Sequence, residues 1–156
     1  MNYNAKFMTR ALEIARENID QHGGPFGAVI VRNEIIIAEA GNSVTKKNDP
    51  TAHAEIEAIR MATTKINSFD LTGCVIYSSC EPCPMCLGAI YWAHLDKLFF
   101  AGTRIDAAKA GFDDEFIYTE LTLPPEKRHL PSENIQQTQA IDIFKYWTSK
   151  ENKIEY

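Results

Sequence analysis

The sequence predicts an α/β sandwich in which part of the sheet is paired in parallel. Segments with helical periodicity alternate along the chain with short, apolar, β-branched segments. Such alternation is typical of helices packed on a sheet that contains parallel strands. The chain has 156 residues, 45% of them hydrophobic, which suits one compact domain with a sizeable core. We therefore expect a single domain spanning residues 1–156.

The N-terminal part predicts a helix and then a hairpin. Apolar residues recur at helical spacing up to a Gly-Gly-Pro turn at 23–25, and the buried face is expected to contain Phe7, Ala11, Ile14, Ala15 and Ile19. Two β-branched runs at 27–31 and 35–40, separated by three polar residues, predict the hairpin. Asp49-Pro50-Thr51 then favours a helix start, with Asp49 or Thr51 as cap and Arg60 near the end.

The second half continues the alternation and then loses it. Residues 74–78 predict a buried strand, Pro84 predicts the first turn of a helix through Trp92, and 98–101 predicts another strand. Between 119 and 139 the pattern weakens because Pro124, Pro125 and Pro131 interrupt it. A last helix is expected from about 140 to 150.

Charge and cysteine usage limit the classes of function. The net charge of −5 argues against tight binding to a nucleic-acid backbone, which needs clustered lysines and arginines. The first twenty residues mix charged and apolar side chains, so we expect neither a signal peptide nor a membrane span, and a cytoplasmic location. All four cysteines, Cys74, Cys80, Cys83 and Cys86, fall in one short stretch, which favours a metal site in a reducing compartment over disulfides.

The metal site is predicted from His53 together with Cys83 and Cys86. One imidazole and two thiolates suit zinc and leave the fourth tetrahedral position to water, as in catalytic sites. Glu55 lies two residues from the histidine and can carry a proton to and from that water. The combination of H-x-E with P-C-x-x-C is the signature of zinc-dependent nucleobase deaminases. The alternative is a structural zinc or iron–sulfur site in which Cys80 supplies a further thiolate.

Longer strings resemble the bacterial guanine deaminases of the cytidine-deaminase fold. They are 24–31 (GPFGAVIV), 48–55 (NDPTAHAE), 79–92 (SCEPCPMCLGAIYW) and 110–114 (AGFDD). The resemblance implies a three-layer α/β/α sandwich with a central mixed five-stranded sheet, and one zinc ion per chain. It also implies hydrolysis of guanine to xanthine and ammonia. A homodimer is implied as well, with the segment 131–156 swapped onto the partner chain.

The resemblance further implies roles for individual residues. Phe26 is expected to stack on the purine, Asn42 to hydrogen-bond its edge, and Asp114 to serve as a second acid. The resemblance also assigns Ala54, Trp92 and Tyr156 to the substrate pocket. The residues by themselves leave plainer readings open: a core aromatic for Phe26, a turn-forming side chain for Asn42, a solvated loop for Asp114, and core packing for Trp92.

Three classes of function follow. A small-molecule purine deaminase is favoured, with a tRNA adenosine deaminase or another nucleobase deaminase, such as one for cytosine, as the alternative. An RNA substrate would need a basic strip, and the C-terminal region does not supply one. A non-enzymatic, zinc-stabilised interaction module is the third and weakest possibility.

Overall fold

The computed structural model describes residues 2–155; Met1 and Tyr156 lie outside the described residues. The chain forms two compact units, Met1–Asp114 and Glu115–Tyr156. In the first unit the elements are α1 (Ala5–Asp20), β1 (Gly27–Arg32), β2 (Ile35–Gly41), α2 (Val44–Lys47), α3 (Ala54–Ile66), β3 (Cys74–Cys80), α4 (Pro84–Trp92), β4 (Lys97–Gly102) and α5 (Arg104–Lys109).

The strands form one mixed sheet in the order β2-β1-β3-β4. β1 pairs with β2 as the predicted hairpin and is also antiparallel to β3, whereas β3 and β4 are parallel. The predicted α/β class with partial parallel pairing is therefore confirmed. Residues 2–155 contain four strands rather than five, because the chain continues from β4 into α5, whose start is fixed by a capping box between Thr103 and Asp106.

Helices cover both faces of this sheet. Side chains alternate along a strand, so β1 sends Val29 and Val31 towards α1 and sends Ala28 and Ile30 to the opposite face. On the α1 face, Phe7, Met8, Ala11 and Ile14 pack against the sheet. On the other face, Ala54, Ala58 and Ala62 of α3 pack with Ile90 of α4. The site described below lies on the α3 and α4 side.

Two details of the predicted helices are wrong. Ile19 is 52% exposed, and Met8 is buried on α1 instead. The helix expected to start at Asp49-Pro50-Thr51 begins at Ala54 and runs to Ile66. The Asp49 carboxylate accepts hydrogen bonds from the Thr51 backbone N–H and hydroxyl at 2.8 and 2.7 Å, so it caps a separate turn ahead of the helix. That turn leaves His53 as the residue that precedes α3.

The second unit contains α6 (Glu115–Thr122), a 3₁₀ turn (Pro125–Lys127) and α7 (Gln137–Thr148). The predicted last helix is confirmed with its start and end displaced by two or three residues. The weak pattern between 119 and 139 corresponds to the end of α6 and the proline-rich connection. Among the described helices, none combines the length and the apolar composition required to span a membrane.

Candidate zinc centre and substrate cavity

The three predicted ligands meet because two helices begin beside one another. His53 is the N-cap residue of α3, and Cys83 is the N-cap residue of α4, which opens with Pro84. Cys86 follows in the first turn of α4 and is fully buried. The partial positive charge at a helix N-terminus favours the thiolate form of Cys83, whereas Cys83 and burial raise the pKa of Cys86, which must give up its proton to bind zinc. Two helix starts thus deliver one imidazole and two sulfurs to one point.

The ligand atoms have the separations that a tetrahedral zinc ion requires. His53 Nδ1 lies 3.6 Å from Cys83 Sγ and 3.5 Å from Cys86 Sγ. With ordinary Zn–S and Zn–N bond lengths, tetrahedral angles place a sulfur and a nitrogen ligand about 3.5 Å apart. A hydrogen bond from Cys86 lowers the pKa of Cys83 to about 4, with a further contribution from His53. The donor set and its spacing therefore fit zinc.

Cys80 does not join this group. Among the described residues, the cluster of potential metal ligands contains only His53, Cys83 and Cys86. The Cys80 thiol points instead towards the backbone carbonyl of Thr103, with Sγ and O 3.6 Å apart. Burial raises its pKa to about 11, so it stays a neutral thiol. This arrangement is consistent with the prediction that Cys80 is a packed thiol. Cys74, which was predicted to be a core residue, is 0% exposed.

Glu55 is a buried acid held against the ligands. It lies in the first turn of α3 and is 6% exposed. Its carboxylate accepts a hydrogen bond from the Ser78 hydroxyl of β3 at 3.1 Å and from the Cys86 thiol at 3.4 Å. Burial raises the pKa of Glu55 above its ordinary value. A carboxyl group beside the metal ligands with a raised pKa is suited to accept and return a proton during a reaction.

A cavity of about 600 Å³ opens over His53, Cys83 and Glu55. Phe26 and Asn42, which were predicted to bind the substrate, and Asp114, which was predicted as a second catalytic acid, line it. The remaining lining residues are His22, Gly23, Gly24, Val44, Thr45, Pro50, Cys80, Glu81, Arg104, Ala107, Gly111, Phe112 and Asp113. The cavity is large enough for a purine base, and residues that could recognise the base lie in its wall beside the metal ligands.

An aromatic corner forms one wall of the cavity. The rings of Phe26 and Phe112 meet edge to face, with centroids 4.9 Å apart and planes at 85°. Phe112 was not among the predicted site residues, although it stands directly before the acidic pair in the sequence. Phe26 follows the turn made by Gly24, whose carbonyl accepts a hydrogen bond from the Phe26 N–H at 2.8 Å. This turn places Phe26 between the cavity and the hydrophobic core, against which its side chain also packs.

Asn42 both forms a turn and faces the cavity. Its side-chain oxygen accepts a hydrogen bond from the Val44 N–H at 3.2 Å, which is the turn-forming role left open above. Within residues 2–155 the side-chain NH₂ group makes no hydrogen bond of its own. Two amide donors are therefore available to a ligand in the cavity.

Asp114 lies at the cavity as predicted, and so does its neighbour Asp113. Asp114 is partly buried, and Asp113 is exposed. Burial raises the pKa of Asp114, and the nearby Cys83 thiolate raises it further. Asp114 is thus electrostatically connected to the metal centre.

The other predicted pocket residues are placed differently. Ala54 is fully buried in the core beneath α3 and does not line the cavity. Trp92, at the end of α4, is 66% exposed; it is neither core nor part of the cavity wall among the described residues. Tyr156 lies outside the described residues. His22, for which no site role was predicted, does line the cavity.

Comparison with known proteins identifies the family. Residues 1–102 match the cytidine and deoxycytidylate deaminase zinc-binding region. The chain is 50% identical to the guanine deaminase of Bacillus subtilis over 157 aligned positions, covering all of both chains. The X-ray structure of that enzyme superimposes with a TM-score of 0.95, covering 100% of this chain and 99% of the other.

Two more distant relatives share the same core. A structure solved in complex with 2,6-diaminopurine is 36% identical, with a TM-score of 0.67, covering 69% of this chain and 61% of that one. The tRNA-specific adenosine deaminase of Aquifex aeolicus is 40% identical over 95 residues, covering 61% of this chain and 63% of that one.

The ligand set predicts how zinc content responds to mutation. Cys86→Ala should lose the single zinc ion per chain, because two protein ligands cannot replace three. Cys80→Ala should retain it and provides a matched control, since both variants remove one thiol. Zinc is measured in purified protein by atomic emission. Stoichiometric zinc in Cys86→Ala, or its loss in Cys80→Ala, would show that the ligands are wrongly assigned.

Proposed function

The chain belongs to the cytidine and deoxycytidylate deaminase zinc-binding family, and we propose that it hydrolyses guanine to xanthine and ammonia. The observation that carries the proposal is the cavity that Phe26, Asn42 and Asp114 line together with the ligands His53 and Cys83 and the acid Glu55. The Bacillus subtilis relative, which matches over the whole chain, is named a guanine deaminase. The bound 2,6-diaminopurine of another relative is also a purine with an amine at C2.

Glu55 performs the proton transfers. His53, Cys83 and Cys86 would hold the zinc, which would lower the pKa of a bound water molecule to about 7. The Glu55 carboxylate would carry one proton of the attacking water to a purine ring nitrogen and the second proton to the departing amine. One water adds at C2 and one ammonia leaves, so the atoms balance. The Ser78 hydrogen bond holds the Glu55 carboxylate in place while it accepts and returns the proton.

The recognition groups complement guanine. The Phe26 ring offers an apolar face on which a purine can stack. The Asn42 amide has donors for the O6 carbonyl, and Asp114 can accept hydrogen bonds from guanine N–H groups. Adenine has no O6 and carries its amine at C6, so it would leave both groups badly matched. Unpaired polar groups in a site are costly, and this mismatch discriminates between bases.

The charge of the cavity opposes an RNA substrate. The relative from Aquifex aeolicus is named a tRNA-specific adenosine deaminase, so this activity is the second candidate. The cavity wall contains four acids, Glu55, Glu81, Asp113 and Asp114, against one arginine, Arg104. RNA phosphates would meet mainly like charge there. We therefore favour a free base over a nucleotide in a loop.

A cytoplasmic location is part of the proposal. The four cysteines are free thiols in the structure. Cys83 and Cys86 must remain reduced to bind zinc, and a reducing compartment keeps them so.

Ammonia release from a panel of substrates tests the proposed activity. Guanine should be turned over, while adenine, cytosine and an anticodon-loop RNA should give little or no ammonia. Glu55→Gln should retain zinc and guanine binding but lose at least about a hundredfold in kcat, because glutamine keeps the size and the Ser78 hydrogen bond but cannot carry a proton. Faster turnover of cytosine or RNA, or a Glu55→Gln kcat within a few-fold of the parent's, would contradict the proposal.

The two adjacent aspartates allow a matched test of recognition. We expect Asp114→Ala to lose far more guanine kcat/KM than Asp113→Ala, at least about tenfold more, because Asp114 is the partly buried member of the pair. Both variants remove one charge from the same loop, so a general electrostatic effect would be equal in the two. Equal losses would mean that Asp114 is part of a solvated loop and does not contact the substrate.

We also propose a homodimer in which the segment 131–156 reaches the partner's active site. α7 carries large apolar side chains at high exposure: 67% for Ile143, 69% for Phe144 and 45% for Trp147. A contiguous apolar helix face of this size is typical of a surface that another chain covers. In this arrangement Tyr156 would help to close the cavity and exclude water from the metal centre.

Subunit mixing tests the swap. Deleting residues 153–156 should leave a folded, zinc-loaded protein with guanine kcat/KM lowered at least about tenfold. Co-refolding this deletion variant with Glu55→Gln should restore activity, since one mixed site then combines an intact Glu55 with the other chain's intact tail. If mixed dimers form and no activity returns, the tail does not act in trans.

A further inference from the structure

Asn18, outside the cavity wall, connects the two loops that carry the base-binding side chains. It is partly buried near the end of α1. Its side-chain Nδ2 donates one hydrogen bond to the Gly24 carbonyl at 2.7 Å and one to the Asn42 carbonyl at 2.8 Å. We propose that Asn18 is a positioning residue that fixes Phe26 and Asn42 for guanine, an inference that rests on the proposed function.

The hydrogen bonds around Asn18 connect its side chain to both loops and connect the two loops to each other. The Phe26 N–H donates to the Gly24 carbonyl at 2.8 Å, and the Asn42 N–H donates to the Phe26 carbonyl at 3.1 Å. Gly24 and Asn42 in turn both accept from Asn18. The turn that presents the Phe26 ring and the end of β2 that presents the Asn42 amide are therefore bound to each other and to one side chain of α1.

The side chain must be an amide in this orientation. Both partners are carbonyl oxygens, so only the NH₂ group can face them, and it uses its two hydrogens on the two loops. A carboxylate of the same shape would place oxygen against both carbonyls. Serine is too short to reach both. The position thus requires a group with two donors on one atom.

Two glycines make room for this side chain. A Cβ built at Gly23 would lie 2.3 Å from Asn18 Nδ2, and one built at Gly41 would lie 2.8 Å from Asn18 Oδ1. Both contacts are closer than carbon approaches nitrogen or oxygen without bonding. Gly23 is not in the left-handed region, so the requirement for glycine there arises from the Asn18 side chain and not from the backbone angle.

Asn18 itself is held by the core. Ile14 and Ala15, in the preceding turn of α1, are 7% exposed and pack with the sheet side of the helix. The hydrogen bonds of Asn18 therefore fix the positions of the two loops relative to α1, which is a rigid element. Displacement of a recognition group by about 1 Å is enough to lower activity strongly. Because Glu55 and the zinc ligands lie on α3 and α4, loss of Asn18 should weaken guanine binding and leave the chemical step intact.

The experiment measures guanine kinetics and binding in Asn18→Asp. We expect KM to rise at least about tenfold while kcat stays within about threefold and zinc remains at one per chain. In a Glu55→Gln background, where turnover is at least about a hundredfold slower, the guanine Kd should rise by the same factor. Gln21→Glu is the matched control, because it makes the same chemical change on an exposed residue close by and should leave KM unchanged.

Gly41→Ala provides a second route at a position that does not line the cavity. The added methyl group must displace the Asn18 amide, so this variant should reproduce the KM effect without changing any charge. An unchanged KM in both Asn18→Asp and Gly41→Ala, or a fall in kcat at constant KM, would overturn the inference while guanine turnover by the parent still stands. A parent that neither binds nor deaminates guanine would instead overturn the proposed function.

Discussion

The convergence of two helix N-termini on one face of the sheet is the constraint on which the site depends. α3 packs against β1 and β2 through small apolar residues and lies beside α4, and this packing places His53 beside Cys83 and Cys86. The helix ends supply partial positive charge that favours thiolates. The Asp49 turn ahead of α3 then determines which residue is the N-cap, and therefore where the imidazole points.

Chemistry and recognition are built on different parts of the same unit. Glu55 and the ligands lie on regular helices whose positions the core determines, which suits groups that must keep their geometry through a reaction. Phe26, Asn42 and Asp114 lie on loops around the cavity. Loops admit different substrates over a common centre, which explains how relatives with the same zinc region carry the names of deaminases for different bases.

The metal centre could be predicted well because short sequence motifs specify its ligands. The spacing of His53, Glu55, Cys83 and Cys86 determines the chemistry once His53 and Glu55 fall at the start of one helix and the two cysteines at the start of another. The hairpin and the presence of some parallel pairing were predictable, since β-branched runs, turn residues and the alternation of helices with strands mark them.

What the sequence could not give depends on tertiary contacts. Trp92 lies on a helix that is apolar on all sides, so periodicity could not tell which face is exposed. Phe112 and Asn18 take part in the site through contacts with residues far away in the chain, at Phe26 and Asn42, and no local pattern marks them. The start of α3 was misplaced because an aspartate-capped turn resembles a helix cap in sequence.

The central claim is that zinc has three protein ligands and one open position. X-ray absorption at the zinc edge of the purified protein tests it most directly. The account predicts two sulfur atoms at about 2.3 Å, one nitrogen at about 2.0 Å and one further oxygen from solvent. Three sulfurs around the zinc would mean that Cys80 closes the site, and the centre would then be structural and not catalytic.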